Sequence, residues 1–181
     1  MDKLKQAIKN RQRVRINYES RHSNEKKWRE IDPLRIYFLQ RALYLYARSH
    51  DKRLECKTFR ISRIKDVTET GIKYAKKIND DEFYQKLANA FTHFMGKKTE
   101  EVVIKFTGNA RSYLQECMWH HSQKIESMPD RSILFKVDVA DPKEVLWWSL
   151  QFGEEAEIIR PIYLRDLARN TSNKMANLYA E

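Results

Sequence analysis

The chain of 181 residues is poor in cysteine, glycine and proline, with two, four and four of them. It also has no run of 18 apolar residues. Each scarcity removes a class of protein. Cys56 and Cys117 are far apart in sequence, which excludes a disulfide scaffold and fits a reducing cytoplasm. Without a long apolar run no membrane-spanning helix is expected. The opening Met1-Asp2-Lys3-Leu4-Lys5-Gln6 holds no signal-peptide core. The glycines stand singly at predicted boundaries, so none builds a phosphate-cradling loop, and G-x-S-x-G and H-E-x-x-H are missing too. The chain therefore reads as a non-enzyme without a cofactor.

What is present is a core and an uneven charge. Apolar residues make up 41% and aromatics 12%, enough for packed domains. The net charge is +10, and it is concentrated at the front. Residues 1–72 hold 19 Lys/Arg against 9 Asp/Glu, residues 73–98 hold 6 against 3, and residues 99–181 hold 10 against 13. A positive potential over one small domain attracts polyanions, which favours a nucleic-acid or phosphorylated partner.

Periodicity divides the chain into three parts: 1–72, a linker over 73–98, and 99–181. Leu4, Ala7 and Ile8 have helical spacing. Alternation then predicts strands at about 13–19, 28–38, 42–48, 55–61 and 64–69, a set that suits a small barrel. The pattern predicts a linker helix over 80–95, with Phe83, Leu87, Phe91 and Phe94 on one stripe, Asn79 or Asp80 as its cap and Gly96 at its end. From 99 onward the order is β-α-β-β-α-β, a ferredoxin-like split βαβ, followed by a terminal helix opened by Pro161 with Leu164, Leu167, Ala168, Met175 and Leu178 on one stripe. The class is α+β. Asp141-Pro142-Lys143-Glu144 is a helix start with an N-cap acid and an acid at the third position, and Glu154-Glu155-x-Glu157 reads as a solvated loop.

The hairpin over 43–64 carries a family resemblance. Leu43-Tyr44-Leu45 stands where the WYL domain has Trp-Tyr-Leu, with Leu43 in place of the Trp. Phe59-Arg60-x-x-Arg63-Ile64 resembles that family's Phe-Arg-x-x-Arg-Ile close. Ala7-Ile8, Val14-x-Ile16-x-Tyr18-x-Ser20 and Arg29-x-Ile31-x-Pro33 are similar to its opening helix and first strands. Trp119-His120-x-Ser122-Gln123, Leu150-x-Phe152-Gly153-x-x-Ala156-x-Ile158 and Pro161-x-x-Leu164-Arg165, with Tyr179 near the end, resemble the WYL C-terminal extension. The resemblance implies an Sm-like small β-barrel followed by the extension domain, as in bacterial transcription regulators. Such regulators usually carry a helix-turn-helix ahead of the barrel. Only about a dozen residues precede the first strand here, so DNA contact is expected through a helix-turn-helix not present in this chain.

The resemblance also gathers the candidate site: Tyr18, Ser20, Arg29, Tyr44, Arg60 and Arg63, with His22, Arg48, His120 and Gln123 as secondary positions. Guanidinium groups beside phenols suit a planar or phosphorylated anion. Arg60 and Arg63 are three apart, so a straight strand would send them to opposite faces, and the strand must end or bulge near Ser62 for both to serve one pocket. Otherwise Arg63 pairs with Asp66 or Glu69 on the surface. Cys117-Met118-Trp119-His120-His121 is too few ligands for zinc and reads as core, with no metal expected. Trp147-Trp148 reads as packing for at least one ring. Ser132-Ile133-Leu134-Phe135-Lys136-Val137 lacks the RNP pattern, which excludes an RRM. The expected function is an effector-sensing module of a cytoplasmic transcriptional regulator. It would bind a nucleic acid or nucleotide in the basic barrel and act through homodimer geometry. The alternative is a ligand-free dimerisation module.

Overall fold

The computed structural model describes residues 1–20, 25–39, 41–51, 54–75 and 79–180, and the chain divides into two compact units, Met1–Phe83 and Tyr84–Glu181. The protein is mixed α+β, with two antiparallel sheets and five helices among the described residues.

The first unit opens with α1 (Asp2–Lys9), which buries Leu4 and Ala7. Five strands follow: β1 (Gln12–Glu19), β2 (Lys26–Leu39), β3 (Ala42–Ser49), β4 (Cys56–Arg60) and β5 (Ile64–Lys73). Their order in the sheet is β4-β3-β2-β1-β5. Strands β4 and β5 are consecutive in sequence yet form opposite edges, joined only by the 3-10 turn Ile61–Arg63. A flat sheet of five strands would hold its edges about 19 Å apart. Four Cα steps, Arg60 to Ile64, reach at most about 14 Å. The sheet must therefore curl. Tyr18 of β1 accordingly meets Phe59 of β4 edge-on at 5.2 Å, although two strands lie between them in the ladder. No β4–β5 ladder forms among the described residues, so the curl stops short of a closed barrel. The concave face holds Val14, Ile16, Ile31, Leu45, Ala47, Phe59 and Val67, closed by Leu4 and Ala7.

The second unit is built from β6 (Glu100–Phe106), α3 (Gly108–Glu116), β7 (Lys124–Ser127), β8 (Ile133–Val139), α4 (Pro142–Ser149), β9 (Ala156–Arg160) and α5 (Ile162–Asn177). The sheet order is β7-β8-β6-β9. Alternate residues of β6 and β8 (Val102, Ile104, Phe106, Ile133, Phe135, Val137, Val139) are buried with Ala110 and Leu114 of α3, Val145 and Leu146 of α4, and Leu164 of α5. Trp148 packs on this core, while Trp147 is exposed. At the far end of α5, Met175 and Leu178 of the expected stripe are exposed.

Three local expectations fail for one reason, long-range carboxylates. The helix expected over 80–95 is α2 (Asp80–Ala88), capped by Asn79 Oδ1, which accepts from Asp81 N at 3.1 Å and Glu82 N at 3.3 Å. It stops early because Glu144, buried in α4, accepts from the backbone N–H groups of Thr92 (2.8 Å), His93 (3.0 Å) and Phe94 (3.0 Å). Phe91 is buried but Phe94 is exposed. Glu144 therefore does not complete a capping box, although Asp141 caps α4 by accepting from Lys143 N at 3.0 Å. Glu155 is no solvated loop residue. Its carboxylate accepts from Asn109 N (3.1 Å) and Ala110 N (2.8 Å) and caps α3. Gly108, at φ +54, leaves it room: a Cβ there would lie 2.0 Å from Glu155 Oε1.

Burial by itself raises the Glu144 carboxyl, but hydrogen bonds from His93 and Thr92 outweigh it and hold the group at about 2. Its folded value lies below its unfolded one, so its contribution to stability is full above the ordinary carboxylate range and is lost as pH falls towards 2. In acid titration followed by tryptophan fluorescence (three of the four tryptophans lie in this unit), Glu144→Gln should lower stability at neutral pH and flatten the loss below about pH 4.5.

Candidate functional site

The β3–β4 hairpin pairs Tyr44 with Arg60, Tyr46 with Thr58 and Arg48 with Cys56, so these side chains share the convex face. On β2, Arg35 stands beside Tyr46 and Tyr37 beside Tyr44. This face is covered. Phe83 meets Tyr37 at 5.4 Å and Tyr46 at 5.1 Å, the Arg35 guanidinium lies over the Phe83 ring at 4.8 Å, and Arg35 pairs with Asp80. Tyr37 stacks on Tyr44 at 5.7 Å. Tyr44 and Tyr46 are buried. Burial pushes the Tyr37 phenol up to about 12 and raises Tyr46 further.

Next along the same face lies a charged centre with no sequence signal. Asp32 is 1% exposed. It accepts from Arg13 Nε at 2.7 Å and pairs with His50 Nε2 at 2.8 Å, while Arg48 Nη1 stands 3.9 Å away. Arg13 also reaches Glu30 at 3.3 Å. Tyr74 donates to the Pro33 carbonyl beside it, and burial holds that phenol up at about 12. Burial would raise the Asp32 carboxyl, but hydrogen bonds from Arg13 and His50 outweigh it and hold it below its ordinary value. Arg48, a secondary candidate, belongs to this internal network.

Of the remaining candidates, Arg60 and Arg63 border the 3-10 turn where the sheet edges approach, and Tyr18 stands across from them. Strand β4 ends at Arg60, and the turn takes up Ile61–Arg63, which satisfies the condition set by the three-residue spacing of the two arginines. The Arg60 backbone N–H donates to Tyr18 Oη at 3.3 Å, and Ile64, next to Arg63, is the ladder partner of Tyr18. Ser20 follows Tyr18 by two residues and donates its N–H to the Glu25 carbonyl at 3.1 Å. Arg29 is the ladder partner of Ile16, so it shares the concave side with Tyr18, and its Nε is shut from solvent with no acceptor. Among the described residues, Arg29, Arg60 and Arg63 have no carboxylate within ion-pair distance. Asp66 instead accepts from Val67 N, and Glu69 from Gln12 Nε2 at 3.0 Å. Tyr44 belongs to the covered convex face, and His22 lies outside the described residues.

His120 and Gln123 serve the second unit. Gln123 Oε1 accepts from Trp119 N (2.6 Å) and His120 N (3.1 Å), and its Nε2 donates to the Cys117 carbonyl (3.0 Å). His120 is buried on Phe91 with Nδ1 2.8 Å from Ser122 Oγ, and burial lowers its pKa. Among the described residues no three His, Cys, Asp or Glu side chains gather as a metal site, and no helix is long and apolar enough to cross a membrane.

These features define a mixed α+β protein whose first unit carries the whole charge excess: Met1–Phe83 has 22 Lys/Arg against 12 Asp/Glu, and Tyr84–Glu181 has 13 of each. Residues 1–69 match the WYL domain and residues 98–176 match the WCX domain. The chain belongs to the WYL-domain proteins. No curated protein matches it. Among solved structures it is similar to a CRISPR Cas-related protein, with 16% identity, 98% of this chain and 50% of that one covered, and a TM-score of 0.59, a likeness of fold alone. It is also similar to proteasome accessory factor B/C (PafBC) of Arthrobacter aurescens, with 21% identity, 93% and 25% covered, and a TM-score of 0.42. The chain thus spans a half and a quarter of these two.

Asp32 should prove structural. Asp32→Ala leaves Arg13 and His50 without their buried partner and should cost about 2–4 kcal/mol in urea denaturation. Asp32→Asn, which keeps hydrogen-bonding capacity, should cost less.

Proposed function

We propose that the chain is the effector-sensing module of a bacterial transcriptional regulator, taking an anionic nucleic-acid or nucleotide ligand on its basic WYL domain. The curled five-stranded sheet is read as an open form of the Sm-like barrel. The second unit, with strand order β7-β8-β6-β9 and helices after its first and third strands, is read as ferredoxin-like. The proposed domains are 1–72, a linker over 73–98, and 99–181.

The observation that carries the reading is Arg29. Its guanidinium is held on the concave side beside Tyr18, with Nε buried and lacking an acceptor. A buried charged donor without a partner is costly, and a ligand phosphate would satisfy it. Ser20 follows Tyr18 by two residues, Arg63 lies in the adjoining turn, and Arg60 ends β4 beside it with its side chain on the convex face. Ligand binding would bias the geometry of a homodimer, and through it a helix-turn-helix in the same or a partner chain of a cytoplasmic regulator.

The second reading, a ligand-free dimerisation module, is favoured by the burial of Tyr46 against Phe83 and of Tyr44 against Tyr37. The two readings separate in a fluorescence-anisotropy titration with single-stranded DNA, single-stranded RNA and cyclic nucleotides at two salt concentrations. The sensor reading expects binding by at least one of them. It also expects Arg29→Ala and Arg60→Ala each to weaken that binding by about tenfold. With a single strand, each should reduce the log–log salt slope by about 0.7. No binding by the native chain, with a dimer persisting in light scattering, would leave the interaction module.

A further inference from the structure

Among the exposed aromatic side chains, one stands among charges on the sheet of the first unit. Trp28, in the middle of β2, is 46% exposed. Its ladder partner is Asn17, so it lies on the convex face, opposite to its neighbour Arg29. An exposed aromatic ring usually serves a protein interface when apolar groups adjoin it. Here none does. Its same-face neighbours along β2 are Lys26 and Glu30, and those across on β1 are Arg15, Asn17 and Glu19. The Arg15 guanidinium lies 5.6 Å from the ring centroid.

The charges on this patch do not cancel. Glu19 is taken by Lys65 at 2.9 Å, and Glu30 by Arg13 at 3.3 Å. Among the described residues, Arg15 and Lys26 have no carboxylate within ion-pair distance. Each carboxylate that flanks the ring is ion-paired with a cation from elsewhere, Glu19 is also drawn on by Lys26 at longer range, and Arg15 is left beside the open indole without an ion-pair partner among the described residues. A flat π-surface bordered by unspent positive charge fits a nucleobase with its adjoining phosphates.

We propose that Trp28 is a base-stacking platform for single-stranded nucleic acid, with Arg15 and Lys26 holding the phosphates on either side of the stacked base. This rests on the reading of a nucleic-acid effector and adds a contact on the face opposite to Arg29. Stacking on a side chain tolerates any base, so the platform contributes affinity with little sequence preference.

The test is a titration of the full chain with a fluorescein-labelled 12-nucleotide oligothymidylate at two salt concentrations. Trp28→Ala should weaken binding by about 5- to 100-fold, while Trp28→Phe, which keeps a ring, should retain most of the affinity. Arg15→Ala should lower the salt slope by about 0.7. Native oligonucleotide affinity in Trp28→Ala overturns the platform and leaves the sensor reading standing if Arg29→Ala still weakens binding. If the native chain binds no oligonucleotide, the platform falls, whatever is found with cyclic nucleotides. Trp28 is half exposed and outside the core, and thermal melting of each variant confirms that it is folded.

Discussion

The first unit depends on a short connection. Three residues join strands that form opposite edges of a five-stranded sheet, and covalent geometry forbids that in a flat sheet. The curl that results creates a concave side deep enough to bury Val14, Ile16, Ile31, Leu45 and Phe59 under one short helix. It also brings β1 to β4, so that the Tyr18 hydroxyl receives the backbone N–H of Arg60 on the edge strand. The corner that holds Tyr18, Arg60 and Arg63 is thus a by-product of chain length between two strands. The convex side gains no such closure, and Phe83 with the phenols of Tyr37 and Tyr46 covers part of it instead.

Electrostatics sort the arginines of this sheet into two groups. Arg13 and Arg48 face Asp32, whose burial makes partners obligatory, and Arg35 pairs with Asp80. Among the described residues Arg29, Arg60, Arg63 and Arg15 have no carboxylate within ion-pair distance, Arg63 acting on Glu19 only at longer range. Sequence distance does not separate the groups. Arg13 and Arg15 are two residues apart on the same face of β1, yet one is internal and the other covers an exposed indole. What separates them is the strand opposite, which offers Asp32 and Glu30 to one and Trp28 to the other.

That distinction explains how much could be read in advance. The strands of the β3–β4 hairpin were legible, because alternation fixes which residues share a face, while the register that places Tyr44 by Arg60 and Tyr46 by Thr58 came from the structure. The Asn79 cap was legible, being local. The roles of Asp32, Glu144 and Glu155 were not. Each carboxylate is buried or bound by groups far along the chain, 52 residues away for Thr92 and Glu144, and no pattern of spacing records such a partner. The end of α2 was missed for the same reason: its apolar stripe continues to Phe91, but the backbone donors beyond it go to Glu144. Tyr44 entered the candidate site through the family resemblance, and it is buried, stacked on Tyr37 of the neighbouring strand. The surroundings of Trp28 were not legible either, since Arg15 and Glu19, which flank it, come from the neighbouring strand.

The placement of Trp28 and Arg29 bears on the size of the effector. Consecutive residues of a strand point to opposite faces, so a mononucleotide seated on Arg29 cannot also stack on Trp28. A single strand of several nucleotides can reach both if it passes round an edge of the sheet, and the cations along such a path (Lys26, Arg15, Arg63) have no carboxylate within ion-pair distance among the described residues, Lys26 and Arg63 acting on Glu19 only at longer range. A small cyclic nucleotide would use the concave corner alone and leave the charge of the convex face unused. Under the sensor reading, the distribution of unpaired charge over both faces therefore favours an oligonucleotide over a mononucleotide. It also makes salt dependence the property that tells them apart, since the number of phosphates neutralised sets the slope.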